Sequence, residues 1–508
     1  MTQSLINEAF IQFPMGQTAT ELGTFFKKKG FIYPSSEIYG GVAGLYDYGH
    51  LGTLLKHNFE NLWRKYFLGL NDNFYEIETS NIAHENVFRA SGHLENFSDP
   101  EVHCSKCTFT ERADHFVQKT TKERAEGLSP DQLTNKIKKH KIVCPLCKSE
   151  LKAVTALNMM FPLQMGVGNG IRAFLRPETA QSPYVNFKLQ YEIQRKKMPL
   201  GLALIGRAYR NEISPRNLTL RQREFTQAEL QIFFNPVKIT EHPQFNQIKN
   251  LKLQTLMVED RAKDKVVERT AEELVKLGLP QFYVYHLAKI QQFYFEELKI
   301  PPEKFRLFQL NDQEKAFYNK YHFDLEIDLA EHGFTEMGGL HYRTDHDLGG
   351  HQKISKQSME IMEEATGEKY VPHVLELSFG VDRNIYALLD LNYRDDKERG
   401  NIVLTLPSKT TPFFCAILPL VKNKDEIVHK AEEIYAQLKP AYSCLYDETA
   451  SIGRRYARAD EMGVRYCITI DFDTLADNAV TVRDRNTTKQ DRVKIEKLKD
   501  YLFNLYFQ

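Results

Sequence analysis

No run of apolar residues in this sequence reaches the roughly 18–20 that a membrane-crossing helix needs, so a helical membrane protein is excluded and no membrane partner is expected. An excess of charge of one sign is also missing. Lys and Arg number 67 and Asp and Glu number 67, for a formal charge of zero. That excludes an overall basic coat, but phosphate binding needs only a local patch, so a nucleic-acid partner stays open. The opening MTQSLINEAF has neither the basic start and apolar stretch of a secretory leader nor the arginines of a transit peptide, and the chain reads as cytoplasmic. Cysteine is scarce and odd in number, seven in 508 residues. In a reducing compartment this pattern points to metal binding and not to disulfides. Internal repeats and low-complexity tracts are absent.

The chain has the makings of a globular protein of two to four domains, with 42% apolar and 26% charged residues. Residues 21–29 have a helical pattern that ends at Gly30. The Gly/Tyr-rich stretch FIYPSSEIYGGVAGLYDYGHLG reads as an ordered loop. From Thr53 to Phe67 apolar residues recur at steps of three and four, the mark of an amphipathic helix, and FYEIETS then reads as a strand. Residues 98–157 look like a charged insertion. Inside it, Ser129-Pro130-Asp131-Gln132 has the form of a helix start with a reciprocal cap. Residues 202–234 read as strand, polar loop, strand. The span 235–312 is rich in Lys, Glu and Leu and is predicted to be mostly helical. A half-buried strand is expected over 323–329, and VLELSF, Gly380, VDRNIYALLD reads as strand, tight turn, helix. Pro407 and Pro412 bracket a linker, after which strands and helices alternate. The division expected is 1–403, carrying both insertions, and 404–508, an α/β domain. The final NLYFQ is spelled like a protease-tag remnant, with Phe503 where such a tag has Glu, and Leu505 to Gln508 carry no weight here.

Three groups of residues carry chemistry. Four of the cysteines form Cys104-x-x-Cys107 and Cys144-x-x-Cys147, a spacing that suits a structural tetrahedral zinc site; unliganded thiols in a degenerate insertion are the alternative. Cys415, Cys444 and Cys467 lie in apolar runs and read as core. The second group is RAYRNEISPRNLTLRQREFTQAELQIFF, from Arg207. In its second strand Phe225, Gln227, Glu229 and Gln231 share one face, which a plain surface strand would also give. Arg210 and Glu212, with the loop arginines Arg216, Arg221 and Arg223, add the makings of a nucleotide pocket: guanidinium for phosphate, Phe for stacking, Glu for an exocyclic amine. The third is LELSFGVDR, where Glu376, Ser378 and Gly380 share a strand face and Arg383 opens a helix.

The order Arg-x-Glu, long loop, Arg-Glu-Phe, then a distant Gly-x-x-Arg resembles motifs 2 and 3 of class II aminoacyl-tRNA synthetases. The Gly/Tyr loop and the helix after it resemble their motif 1 region, which builds a dimer interface. PSSEIYGGVAGLYDYG, RASGHLENFSDP, RPETAQSPYVNFK and YRNEISPR narrow the resemblance to glycyl-tRNA synthetases of the homodimeric type. It runs from about Phe31 into the last hundred residues, where DETASIGRRYARADEMG and VTVRDRNTTKQDRV resemble an anticodon-binding domain.

The resemblance implies an α+β fold with an antiparallel catalytic sheet, a homodimer, and substrates ATP (with Mg²⁺), glycine and tRNA(Gly). The catalytic arginines would be Arg210, on the α-phosphate, and Arg383. Glu212 would take the adenine amine, and Phe225 and Arg383 would sandwich the ring. Asn211, Leu220, Arg221, Gln222, Arg223, Glu224, Glu336, Met337 and Gly380 would complete the ATP site. Glycine would be held by Arg112, Glu178, Phe225, Gln227, Glu229, Glu376 and Ser378. Ser182, Leu377, His50 and the sequence Gly333-Phe334-Thr335-Glu336 depart from the family pattern, but the reactive groups are kept. The alternative is a catalytically inactive synthetase-like accessory subunit, which would keep the fold and lose the site.

Overall fold

The computed structural model describes residues 21–506 except 126, 169, 264, 317 and 364–366. The opening segment read for a leader, and the last two residues of NLYFQ, lie outside the described residues. In chain order the helices used below are α1 (Glu21–Lys29), α2 (His50–Leu68), α3 (Pro130–Lys139), α4 (Gln181–Ile193), α5 (Gln281–Gln292), α6 (Val381–Asn392), α7 (Asp425–Leu438), α8 (Ile452–Glu461) and α9 (Leu498–Tyr506). The larger sheet is built from β1 (Phe74–Glu76), β2 (Leu200–Tyr209), β3 (Glu224–Phe234), β4 (Lys252–Leu256), β5 (Val267–Thr270), β6 (Phe305–Gln309), β7 (Tyr321–Leu329), β8 (Gly333–Thr344) and β9 (His373–Gly380). The smaller one is built from β10 (Cys415–Pro419), β11 (Cys444–Tyr446), β12 (Tyr466–Ile470), β13 (Ala479–Asp484) and β14 (Gln490–Lys494).

The nine strands of the larger sheet run β5-β4-β6-β7-β8-β9-β3-β2-β1. All neighbours are antiparallel except β2 with β1 and β4 with β6. This sheet, with the α/β domain beyond it, makes the chain α+β. Helix α2 packs on the sheet because its apolar residues fall on one stripe: Leu51, Leu55, Phe59, Trp63 and Phe67 are all buried, with Trp63 edge-on to Phe379 of β9 at 6.0 Å. The apolar face of α2 is thus consumed inside the chain. Helix α3 has the reciprocal cap read from the sequence, with Ser129 and Gln132 each bonding the other's backbone N–H.

Helical turns cover about half of residues 235–312, but the span is not helix alone. Three strands, β4, β5 and β6, extend the larger sheet past β7, around the single longer helix α5. Lys-, Glu- and Leu-rich composition favours helix by propensity, and strand pairing in the folded protein overrides it. The Gly/Tyr stretch is not all loop either, since Ile32–Pro34 pairs with Tyr46–Tyr48 in a short hairpin. The strand read over FYEIETS covers only Phe74–Glu76.

In the smaller domain the order is β11-β10-β12-β13-β14, with β10 parallel to β11 and β12. The short helix Phe472–Asp477 and strand β14 were not foreseen. Cys415, Cys444 and Cys467 are buried. Leu505 and Tyr506 pack on the domain's core from α9, so these two belong to the fold whatever the spelling of NLYFQ. The domains meet where Arg399 donates to Asp460 (3.1 Å) and Arg485 donates to the carbonyl of Leu406 (2.7 Å), a residue past the expected division whose side chain packs in the larger domain's core.

Candidate active site

A cavity of about 600 Å³ opens where β2 and β3 give way to their connecting loop. Five guanidinium groups line it, from Arg112, Arg210, Arg216, Arg221 and Arg383. Carboxylates and carbonyls hold four of them in place. Arg221 Nε donates to Glu212 (2.7 Å), Arg383 to Glu336 (3.0 Å) and to the carbonyl of Leu220 (3.1 Å), and Arg112 to Asp99 (2.9 Å) and Asp114 (2.9 Å). Arg210 donates to the Pro177 carbonyl (3.0 Å) and lies against two rings, 5.2 Å from the centroid of Phe225 and 5.4 Å from that of Phe97. Preset cations in a walled cavity suit a polyphosphate, because no reorganisation is needed when charge arrives.

Below it lies a second, buried compartment of opposite character. Pairing of β3 with β9 sets Glu229 opposite Ser378 and Gln231 opposite Glu376. The polar face of β3 therefore points into the protein, not to solvent, and the strand is buried on both faces from Thr226 on. Glu229 accepts from the hydroxyls of Thr179 (2.7 Å) and Ser378 (2.9 Å). Glu376 accepts from Arg343 (3.0 Å) and His341 (2.5 Å). Glu178 accepts from Gln181 (2.8 Å), with His93 Nε2 at 3.5 Å and Arg343 at 3.7 Å. Gln227 accepts from the backbone N–H of Thr179 (3.3 Å). With Asp347, which Arg343 holds at 2.8 and 2.9 Å, four carboxyls stand here against one buried guanidinium, a surplus of negative charge that suits a small cation. The compartments adjoin: Pro177, which holds Arg210, precedes Glu178, and Phe225 lies two residues before Gln227 on β3.

Among the residues expected at ATP, Arg210, Glu212, Leu220, Arg221, Glu336 and Arg383 line the cavity, and Phe225 backs Arg210. The others sit behind this wall. Asn211 is held by its N–H to the Met159 carbonyl (2.7 Å), Gln222 donates to Thr219, and Arg223 clamps the Glu212 carbonyl (2.9 Å). Glu224 faces Arg207 (3.6 Å), Met337 is in the core, and Gly380 starts α6. Of those expected at glycine, Glu178, Gln227, Glu229, Glu376 and Ser378 meet in the buried compartment, whereas Arg112 lies on the wall of the cavity. Sequence reasoning missed Phe97, Asp99, Met159, Asn217, His332 and Thr335 in the cavity, and His93, Thr179, Tyr184, Gln181, His341, Arg343 and Asp347 around the carboxyls. One signal was available for Arg343, the only Lys or Arg in the strand GFTEMGGLHYRT.

Away from this site, one atom from each of Cys104, Cys107, Cys144 and Cys147 lies within 4.8 Å of the others. The pairs Cys104–Cys147 and Cys107–Cys144 are at 3.4 and 3.5 Å. Four thiolates around zinc at about 2.3 Å stand roughly 3.8 Å apart, so the donor set fits that ion. Among the described residues it is the only group of three or more His, Cys, Asp or Glu placed to hold a metal.

Residues 415–505 match the family model for an anticodon binding domain. The solved structure of prolyl-tRNA synthetase from Cryptosporidium parvum, complexed with L-proline and AMP, superposes with a TM-score of 0.59 at 13% identity, over 96% of this chain and 75% of that one. Fold and site together define a class II aminoacyl-tRNA synthetase. The chain is 38% identical to the glycine–tRNA ligase of Pyrococcus abyssi, over 95% of this chain and 98% of that protein. It is 36% identical to that of Aeropyrum pernix, over 94% of each. It belongs to the glycine–tRNA ligase family. The activity is ATP-dependent joining of glycine to tRNA, and an inactive accessory subunit is not favoured.

Proposed function

We propose that the arginine-walled cavity takes ATP and the buried carboxyl compartment takes the ammonium of glycine, so that the glycine carboxylate faces the α-phosphorus between them. The observation that carries this is the balance of charge along one strand, with five guanidiniums to three carboxylates at the Phe225 end of β3 and carboxyls outnumbering the Arg343 guanidinium from Glu229 inward. In the first step a glycine carboxylate oxygen attacks the α-phosphorus, the bond to the bridging oxygen breaks, and pyrophosphate leaves. In the second, a ribose hydroxyl at the tRNA 3′ end attacks the glycyl carbonyl and AMP leaves. Arg210 steadies the α-phosphate, and Arg383 covers the adenine from the side opposite Phe225. Magnesium accompanies ATP and neutralises phosphate charge; Glu336, half exposed on the wall, would hold it. No covalent protein nucleophile is needed, so the work is positioning. Glycine has no side chain, and a compartment packed with Thr179, Tyr184, Gln231 and Ser378 rejects larger amino acids by clash.

The smaller domain, beginning near residue 404, would grip the tRNA, and Cys104, Cys107, Cys144 and Cys147 would hold one structural zinc. No helix of the described residues is long and apolar enough to cross a membrane, in keeping with a cytoplasmic enzyme. The chain would work as a homodimer. Val185, Leu189 and Ile193 repeat every fourth residue along α4 and are 44–59% exposed, an apolar stripe of the kind a partner copy covers. Pyrophosphate exchange run against a panel of amino acids tests the site: glycine alone should support it. Equal exchange with alanine or serine would overturn the assignment of the buried compartment.

A further inference from the structure

Glu376 has a neighbour that no motif points to. Strand register sets Gln231 of β3, Glu376 of β9, His341 of β8 and His322 of β7 in one row across four strands. Side chains in such a row share a face and meet. One oxygen of Glu376, Oε2, is already crowded, accepting from Arg343 (3.0 Å), the Gln231 amide (3.1 Å) and the Tyr184 hydroxyl (3.3 Å). The other, Oε1, has His341 Nδ1 at 2.5 Å. An ionised carboxylate offers about four lone-pair positions, so Oε1 is the oxygen with capacity left for a substrate.

The next row explains how the imidazole fits. There Glu229, Ser378, Gly339 and Asp324 lie side by side. A Cβ at Gly339 would stand 2.3 Å from His341 Nε2 and 3.3 Å from His322 Nε2, so the missing side chain is the space the ring fills. On its far side the His322 ring stands edge-on at 4.2 Å, itself held by Asp324 (3.0 Å). His341 therefore has one seat, and that seat aims Nδ1 at Glu376.

We propose that His341 is a positioning residue for glycine: it donates from Nδ1 to Oε1 of Glu376 and fixes the plane in which that oxygen meets the substrate ammonium. The proposal rests on the reading that Glu376 takes the ammonium. Kinetics of pyrophosphate exchange on the full chain test it. A hydrogen bond to a charged group is strong enough that His341→Ala should raise KM for glycine about tenfold and leave KM for ATP within about twofold. Asparagine places its amide nitrogen where Nδ1 stands and glutamine places its own near Nε2, so His341→Asn should restore KM for glycine to within about threefold and His341→Gln should not. Glu376→Gln should raise KM for glycine by itself, and His341→Ala should add less than about twofold to it, because coupled residues are not additive. If Glu376→Gln raises KM for glycine but His341→Ala does not, or if the two effects multiply, the proposal fails. It also fails if His341→Asn is no better than His341→Gln, a comparison that stands even if the alanine variant does not fold. If Glu376→Gln leaves KM for glycine unchanged, the assignment of Glu376 itself is overturned, and the proposal with it.

Discussion

Glu229 and Glu376 share one amide, with Gln231 Nε2 donating to Oε2 of each, at 3.4 and 3.1 Å, yet their carboxyls titrate in opposite directions. Burial pushes Glu229 up to about 8, and the charges of Glu376 and Glu178 push the same way. Burial acts on Glu376 too, but the Arg343 guanidinium and the His341 ring outweigh it and bring the group down to about 2. Glu229 has hydroxyls for partners where Glu376 has a cation. At neutral pH the compartment therefore holds Glu229 protonated beside ionised Glu376 and ionised Glu178, the last kept low against burial by His93 and Arg343, and an arriving ammonium disturbs that arrangement.

The first prediction follows from that proton. An ammonium favours ionised Glu229, so glycine binding below pH 8 should expel a proton from the site. KM for glycine should fall as pH rises from 6 to about 8 and flatten above it. Calorimetry at pH 7 in buffers of different ionisation enthalpy should register release approaching one proton per glycine, and Glu229→Gln should abolish it. Stability gives a second readout. Glu229 ionises near its ordinary 4.5 when unfolded and near 8 when folded, so the folded state loses ground as pH rises between these values. Glu229→Gln should gain on the parent chain over that window. A pH-independent KM for glycine would contradict the assignment.

Arg210 and Arg383 should fail in different ways. Arg210 lies between the rings of Phe97 and Phe225, close to where the reacting phosphorus would sit, so Arg210→Ala should lower kcat for pyrophosphate exchange about a hundredfold or more. Arg383 is tied to Glu336 and to the Leu220 carbonyl and is assigned to the adenine face. Arg383→Ala should act chiefly on KM for ATP, by about tenfold. Steady-state exchange with ATP as the varied substrate separates the two, and identical profiles would show that they do not divide the nucleotide.

Much of the cavity was legible in the sequence, because four of its five arginines and Glu212 come from two short segments whose strand-loop-strand and strand-helix patterns are plain, whereas Arg112 comes from the insertion and was expected at glycine. The polar face of β3 was legible as a face but not as an interior one, since alternation alone does not say what lies opposite. What lies opposite is β9, and Glu376 was read from its own strand. The charges that set the carboxyls' protonation were not, because Arg343 and His341 reach them only through the register of β8 on β9. The same limit explains β4 and β6, which pair with each other across the intervening helix α5 while the composition of the span favours helix.

The cysteine-bearing insertion is more than an appendage to this site. Asp99 and Arg112, which line the cavity, belong to it, and Asp99 stands 3.8 Å from Arg221. Its own core is small, built on Val102, Val117, Leu133, Ile137 and Ile142, so metal would supply much of its stability. Elemental analysis of the purified protein should find one zinc per chain. Cys104→Ser should remove it, open residues 104–150 to limited proteolysis and raise KM for ATP about tenfold through the slackened Asp99–Arg112 wall, with KM for glycine little changed. A zinc-free protein with an intact insertion would refute the metal.

Arg399 offers a way to separate the two domains' contributions without cutting the chain. It lies in the turn between the short strands Tyr393–Asp396 and Asn401–Leu404 and donates across the junction to Asp460 (3.1 Å) and to the carbonyls of Arg485 (2.8 Å) and Asn486 (3.2 Å). Asp460 keeps a bidentate pair with Arg483 (2.8 and 2.9 Å), and Asp396, the other buried carboxylate beside Arg399 (3.3 Å), keeps Arg394 (3.2 Å), so removing Arg399 leaves no bare buried charge and the smaller domain should stay folded. What it loses is its orientation. A misplacement of about an ångström at a distant grip can cost up to a hundredfold at the reacting atoms, and tRNA is the one substrate long enough to touch both domains. Arg399→Ala should therefore lower kcat/KM for tRNA about tenfold while pyrophosphate exchange stays within about twofold of the parent. Equal losses in both assays would mean that Arg399 supports the catalytic sheet itself, and no loss in either would mean that Arg485 and the Leu406 carbonyl hold the junction without it.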